Sequence, residues 1–257
     1  MVSLYDFCCT AGYGFKLFFV SPLPLSSFLI PNKYDWQIAQ EDLCYDSKSA
    51  TAFLISHHKF AERYLSHVAK RQKEQIHIYT NAELCGTRFG QRFNELFKYS
   101  SSLEKEMQRN RETIGGDYVS VSFRFMRLLG DFEDAVASIV LPDKKRSELI
   151  SRSLQQIEKI HTENNGSKVL VTSDSALFLK LVKVNFDYAY TTSGAESIVH
   201  LDVNDSDIHT HMKTFVDFFM VSEAKKIYQA RSPQMYKSAF AWTASRVNNT
   251  PFIEWCY

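Results

Sequence analysis

Arg124 stands directly behind an alternating run, Val119 to Phe123, in which Ser120 and Ser122 separate the apolar residues. Two further polar segments occupy comparable positions. Thr172-Ser173-Asp174-Ser175 closes the apolar run Val169-Leu170-Val171, and Met235-Tyr236-Lys237-Ser238-Ala239-Phe240 precedes an amphipathic stretch. A guanidinium can fork two N–H bonds onto a phosphate, and the open N–H groups and positive dipole end of a helix attract an anion. An arginine, a carboxylate and a helix N-terminus at neighbouring strand ends are what a nucleotide diphosphate and its ribose require. Each segment also has a plainer reading: Arg124 paired with Asp131 or Glu133 at the surface, and Ser173, Asp174 or Ser238 as ordinary helix caps.

These segments meet only if the elements around them are arranged to bring them together. Residues 49–74 carry Phe53, Phe60, Tyr64, Leu65 and Val68 at spacings that suit one helical face. Ile76 to Tyr79 reads as a strand, and 88–98 as a helix turning Phe89, Phe93, Leu96 and Phe97 inward. Ser101 or Ser102 is the expected cap of a helix ending near Asn110, after which Gly115 and Gly116 break the pattern. A boundary near residue 112 follows, giving domains of 1–112 and 113–257. Beyond it, strands at 118–123, 168–172, 188–191 and 226–230 alternate with helices over 144–163, through Leu181, over 213–224 and over 238–247. That alternation predicts a mostly parallel, doubly wound sheet, whose ligands bind beyond the carboxyl ends of its strands.

The order Ser122-Phe123-Arg124, Gly130-Asp131, Thr172 to Ser175, Thr214 to Ala224 with Asp217, then Ser238-Ala239-Phe240 resembles the C-terminal half of fucosyltransferases that use GDP-fucose. That group holds the α-1,2 and α-1,6 fucosyltransferases and the protein O-fucosyltransferases, and the resemblance covers about residues 117–253. It implies a GT-B-like α/β architecture, with a C-terminal Rossmann-like, doubly wound parallel sheet binding the nucleotide sugar and a smaller N-terminal α/β domain on the acceptor side. It also implies an inverting transfer of L-fucose from GDP-fucose to a glycan hydroxyl without a metal. By resemblance Arg124 holds the β-phosphate and is the catalytic group, Asp174 and Asp217 lie near ribose or guanine, and Ser173 and Lys237 line the donor site. Ser238, with the amides of Ala239 and Phe240, binds phosphate.

The family's usual His-x-Arg-x-Gly-Asp departs here in having Ser122 at the histidine position and extra residues between Arg124 and Gly130. The arginine role carries over, the histidine role does not, and Arg127 is an alternative phosphate ligand. The family's Gly-x-Gly-Asn-Arg-Leu turn finds its nearest match in Gly12-Tyr13-Gly14-Phe15-Lys16-Leu17, which lacks the asparagine and the arginine. A shortened N-terminal domain is therefore expected, and a second reading stays open: a non-catalytic nucleotide- or glycan-binding protein that keeps the fold. Glu83, Asp131 and Glu133 are all candidates for a general base.

Composition narrows the classes. Hydrophobic residues at 45% and charged residues at 23% predict a packed globular chain, and 30 Lys and Arg against 29 Asp and Glu give no field that favours nucleic acid. Cys8, Cys9, Cys44, Cys85 and Cys256 are scattered without a CxxC pair, which predicts reduced, mostly buried thiols and a cytoplasmic protein. The apolar run from Phe15 to Ile30 is interrupted by Pro22 and Pro24 and is shorter than a bilayer span, so no transmembrane segment is expected, while peripheral membrane contact stays open. Asp205-Ser206-Asp207 matches an Asp-x-Asp metal motif within a loop-like polar stretch, and His57-His58 and His209/His211 read as exposed or capping, so no metal site is expected. Trp36 and Trp242 read as core, with a carbohydrate-facing role open to either.

Overall fold

The chain forms two units, one of residues 1–20 and 30–98, the other of 21–29 and 99–257. The computed structural model describes residues 1–19, 24–55, 61–68, 70–80, 88–132, 139–193 and 208–257.

Along the first part of the chain run α1 (Val2–Ala11), β1 (Leu29–Pro31), β2 (Ala50–Ile55), α2 (Ala61–Val68), β3 (Gln75–Thr80), α3 (Phe89–Leu96) and β4 (Phe97–Tyr99). The single helix expected over 49–74 is thus divided. Ala50 to Ile55 pairs in parallel with Gln75 to Thr80, and this ladder overrides the helical spacing of Phe53 with the residues after it. Phe97 leaves the helix expected to include it, taking extended angles while its N–H still bonds to the Phe93 carbonyl. Asp6 on α1 pairs with Arg88 (2.9 Å) and Arg92 (2.7 Å), and Arg92 also holds Glu95 (2.6 Å). Trp36 is buried in this unit, its indole N–H donating to the Leu96 carbonyl at 2.9 Å, so it serves as core.

The second unit begins earlier than the boundary read from the sequence. Its first helix, α4 (Ser101–Ile114), lies wholly within it and runs past the expected end near Asn110. Ser100 caps this helix, not Ser101 or Ser102: its Oγ accepts from the Leu103 N–H and donates to the Ser27 carbonyl at 2.7 Å. Gly115, at φ 62°, closes the helix in the left-handed region that favours glycine.

Then follow β5 (Tyr118–Phe123), α5 (Asp143–Glu163), β6 (Lys168–Ser173), α6 (Ala176–Asn185), β7 (Ala189–Tyr190), α7 (Ile208–Ser222), β8 (Ile227–Arg231), α8 (Phe240–Val247) and β9 (Phe252–Cys256). The strands form one sheet in the order β7-β6-β5-β8-β9, every pair parallel. β9 has no counterpart in the sequence reading. All six residues of β5 are buried, serines included, because helices cover both faces of a parallel sheet. Ser122 and Thr172 meet this burial by hydrogen-bonding each other across the strands at 2.7 Å. On the opposite face Val119, Val121, Phe123, Val169, Val171, Tyr228 and Ala230 share one core with Leu149, Ile157 and Ile160 of α5 and Phe178 and Val182 of α6.

The chain leaves central β5 toward β6 and β7, then returns to β8 and β9 on the other side. Such a reversal opens a crevice outside the carboxyl ends of the two strands it separates, here β5 and β8. Phe178, fully buried, packs its ring 4.9 Å from both Phe123 and Phe125 and so supports the backbone where β5 ends. Phe178→Ala should cost about 3–5 kcal/mol in urea unfolding, and Phe178→Leu clearly less. A loss below about 1 kcal/mol for the alanine variant would show that this core does not carry the strand end.

Candidate functional site

The register Phe123↔Ser173 makes Arg124 and Asp174 leave neighbouring parallel strands at one height. Asp174 has a side chain 4% exposed and gathers three donors: the N–H groups of Phe125 (2.9 Å) and Met126 (2.7 Å) and the guanidinium of Arg124 (3.2 Å). Met126 needs that hold. Its φ of 52° lies in the left-handed region, which costs a long side chain about 1–2 kcal/mol, and charge-assisted bonds to a carboxylate offset such a cost. Burial, the largest effect, raises the Asp174 carboxyl above the ordinary carboxylate value, against the opposing pull of Arg124 and the two main-chain N–H groups. All three neighbours donate, which favours the anion against that burial. Arg124 lies with its guanidinium 4.9 Å from the centre of the Phe132 ring, and its side chain is 21% exposed.

The surface pairing of Arg124 with Asp131 is therefore replaced by a buried partner from the next strand. Asp131 is committed elsewhere: its Oδ2 accepts from Ser175 Oγ (2.9 Å) and the Leu177 N–H (2.8 Å) at the start of α6. Ser175 is the cap of that helix, accepting from the Phe178 N–H at 3.0 Å, and Ser173 Oγ accepts from the Ser175 N–H at 3.1 Å. Asp174 itself caps no helix; its acceptors point at the β5 exit. Arg127 sits in the turn that follows, its carbonyl accepting from the Gly130 N–H at 3.0 Å.

On the far side of β5, the β8–α8 connection carries the expected anion-binding turn. Ser238 Oγ accepts from the Phe240 N–H at 3.1 Å, but Ala239 is the residue that immediately precedes α8, so Ser238 turns the backbone without being the cap. The Phe240 ring stands edge-on to Phe218 of α7 at 5.5 Å. Lys237 donates to Glu254 on β9 at 2.8 Å, and Arg231 at the end of β8 holds the other oxygen of Glu254 at 2.9 Å. Sequence reasoning passed over Arg231 and the buried Ser232 beside it, although both stand where the strand-end rule directs attention.

Asp217, the other carboxylate expected near the nucleotide, has partners of its own. It is buried on α7, ion-paired with Lys213 at 2.6 Å and hydrogen-bonded by the Thr192 hydroxyl, and Lys213 also donates to Thr192 at 3.0 Å. Lys213 lies four residues before Asp217, a spacing that makes the two neighbours on one helix and was readable from the sequence.

His211 is buried on α7 instead of exposed or capping. Trp242 is 40% exposed with the Arg246 guanidinium 4.8 Å from its ring centre. Glu83, Glu133, Cys85, His57, His58 and Asp205 to Asp207 lie outside the described residues, as does the side chain of His209. Among the described residues no three His, Cys, Asp or Glu side chains are grouped to hold a metal ion, and no helix is long and apolar enough to cross a membrane. Cys8, Cys9, Cys44 and Cys256 are free thiols, but of these only Cys8 is buried and Cys9 and Cys256 are exposed, against the expectation of mostly buried thiols.

No family model and no curated protein matches the sequence. Solved structures do match the fold. Fucosyltransferase NodZ from Bradyrhizobium is similar at a TM-score of 0.60 and 13% identity, over 98% of this chain and 89% of that one. A mutant of Arabidopsis thaliana FUT1 in complex with GDP gives 0.57 at 11% identity over 98% and 65% of the two chains. POFUT1 in complex with GDP gives 0.53 at 9% over 99% and 93%. The chain thus has a fucosyltransferase-like α/β fold of the GT-B kind, built on its five-stranded parallel sheet.

The two aspartates of the site make separable predictions. Asp174→Ala removes a buried carboxylate from a half-buried guanidinium and two N–H groups and should cost about 3–5 kcal/mol in urea unfolding. Asp131→Ala removes only a helix-start acceptor and should cost about 0.5–2 kcal/mol. Equal losses would refute the distinction.

Proposed function

We propose that this protein is an inverting glycosyltransferase that moves L-fucose from GDP-fucose to a glycan hydroxyl, with residues 113–257 holding the donor and the N-terminal region on the acceptor side. The reading is carried by the Arg124–Asp174 pair at the carboxyl end of β5, where a parallel sheet with this strand order takes its ligand. Solved proteins of similar fold are described as bound to GDP, and a NodZ structure as soaked with GDP-fucose, which supports the same donor here.

Asp174 fixes the position of Arg124, and the guanidinium grips the diphosphate. As the sugar departs, negative charge grows on the diphosphate oxygens, and a fixed cation interacts with them more strongly in the transition state than in the ground state. The backbone N–H groups opening α8 after Ser238 add a second positive end, with Ser173 and Lys237 at the flanks and Arg127 as the alternative phosphate ligand. The acceptor oxygen attacks the anomeric carbon from the face opposite the leaving group, which inverts it. An oxocarbenium-like transition state asks little of a general base, which suits a site whose one described candidate, Asp131, is already occupied at α6. Donor binding needs no divalent metal in this scheme, since an arginine and a helix N-terminus neutralise the diphosphate. The scattered free thiols fit a cytoplasmic setting.

The commitment of Asp131 favours one rival, a nucleotide-binding protein that keeps the fold without turnover. Release of GDP from GDP-fucose in the presence of glycans separates the two. For the donor site itself, Arg124→Ala should weaken GDP binding by about 1.5–3 kcal/mol in calorimetric titration, with Arg124→Lys recovering only part because an ammonium lacks the fork. EDTA should change wild-type affinity by less than about tenfold. GDP affinity unaltered in Arg124→Ala but lost in Arg127→Ala would move the role to Arg127, and no loss in either would end the proposal.

A further inference from the structure

Phe123 of β5 is level not only with Ser173 of β6 but also with Ala230 of β8. Arg124 and Arg231 therefore stand side by side at the ends of adjacent strands, whose main chains run about 5 Å apart. The alternation continues from Ser122 and Gln229, themselves register partners, so both arginines belong to the same face of the sheet. Each is anchored from its outer flank, Arg124 by Asp174 of β6 and Arg231 by Glu254 of β9. Lys237 shares Glu254 with Arg231.

Two donors in this place lack an acceptor. The Nε of Arg231 is buried without a hydrogen-bond partner, and so is the hydroxyl of Ser232, a residue only 2% exposed. Leaving a buried donor unpaired is unfavourable, and native chains rarely do it without a reason. Both unpaired donors sit at the end of β8, on the crevice where a ligand is expected, and lead into the turn that opens α8.

We propose that Arg231 and Ser232 form a second anion contact of the donor site, so that the diphosphate lies between two guanidiniums, one from each strand bordering the crevice. The inference rests on the nucleotide-sugar reading above but assigns residues that neither the family resemblance nor the strand-end motifs named. Acceptor oxygens of the diphosphate would satisfy the Arg231 Nε and the Ser232 hydroxyl, and its charge would relieve the repulsion between neighbouring guanidiniums.

Calorimetric titration with GDP and with inorganic pyrophosphate tests it, on wild type, Arg231→Ala, Ser232→Ala and Lys225→Ala, each checked for an intact melting transition. Arg231→Ala should weaken both probes at least tenfold and Ser232→Ala both at least threefold, while Lys225→Ala, which removes an exposed cation at the amino end of β8, should stay within twofold of wild type. Should Arg231→Ala fail to fold, the Ser232→Ala result decides. Arg231→Ala or Ser232→Ala within twofold of wild type for both probes, or Arg231→Ala and Lys225→Ala losing equally, overturns the proposal and leaves the Arg124 reading standing. Wild type that binds pyrophosphate but not GDP removes the donor reading, and the pyrophosphate comparison then judges this inference alone. Wild type that binds neither removes both.

Discussion

One carboxylate organises the end of the central strand. Asp174 accepts from two consecutive main-chain N–H groups and from Arg124, and those three bonds fix the left-handed turn at Met126, the direction of the chain beyond β5 and the orientation of the guanidinium together. A neutral acceptor would hold the same atoms with roughly half the strength, since hydrogen bonds to an ionised group are about twice as strong as neutral ones. The carboxylate is buried, so losing it would leave the two main-chain N–H groups without their acceptor.

The sheet explains why such a device sits here. A parallel sheet covered on both faces hides its strands completely, serines included, and leaves the carboxyl ends as the places where main-chain and side-chain polar groups can meet a ligand. Reversal of strand order at β5 and β8 keeps the two following connections on opposite sides, so residues from both strand ends border one crevice. The aromatic support of Phe178, Phe123 and Phe125 holds the floor rigid, which is what a group that must stabilise developing charge without reorganising needs.

Much of this unit was legible in the sequence because its signals are local. The Val-Ser alternation of β5, the apolar run of β6 and the 3.6-residue spacing of Leu149, Leu154, Ile157 and Ile160 in α5 each fit one template only. The first unit was less readable: Phe53 lies at a helical distance from its neighbours, and only its pairing with Ile78 on a later strand decides for a β conformation. The boundary was displaced because α4 packs on α7 and so belongs to the second unit, which residues 21–29 also join, long-range facts that no composition shift marks. At the site, the strand-end rule found Arg124 and Asp174 but not that they are partners, since Asp131 and Glu133 are nearer in sequence and only the register brings β6 alongside β5. The resemblance named Asp217 but not its partners Lys213 and Thr192, of which only Lys213, four residues away on one helix, was readable in the sequence. Ser232 stands at a strand end but was passed over, because a serine there looks ordinary until its burial without a partner is seen.

The central claim is that the diphosphate of the donor binds at the carboxyl ends of β5 and β8. A crystal structure of the protein soaked with GDP tests it most directly. The account predicts phosphate oxygens within about 3 Å of the Arg124 guanidinium, the length of a charge-assisted hydrogen bond, with the Asp174 bonds to Phe125 and Met126 retained. GDP bound with its phosphates away from Arg124, or an Arg124 side chain that stays on Asp174 and touches no phosphate, would contradict it.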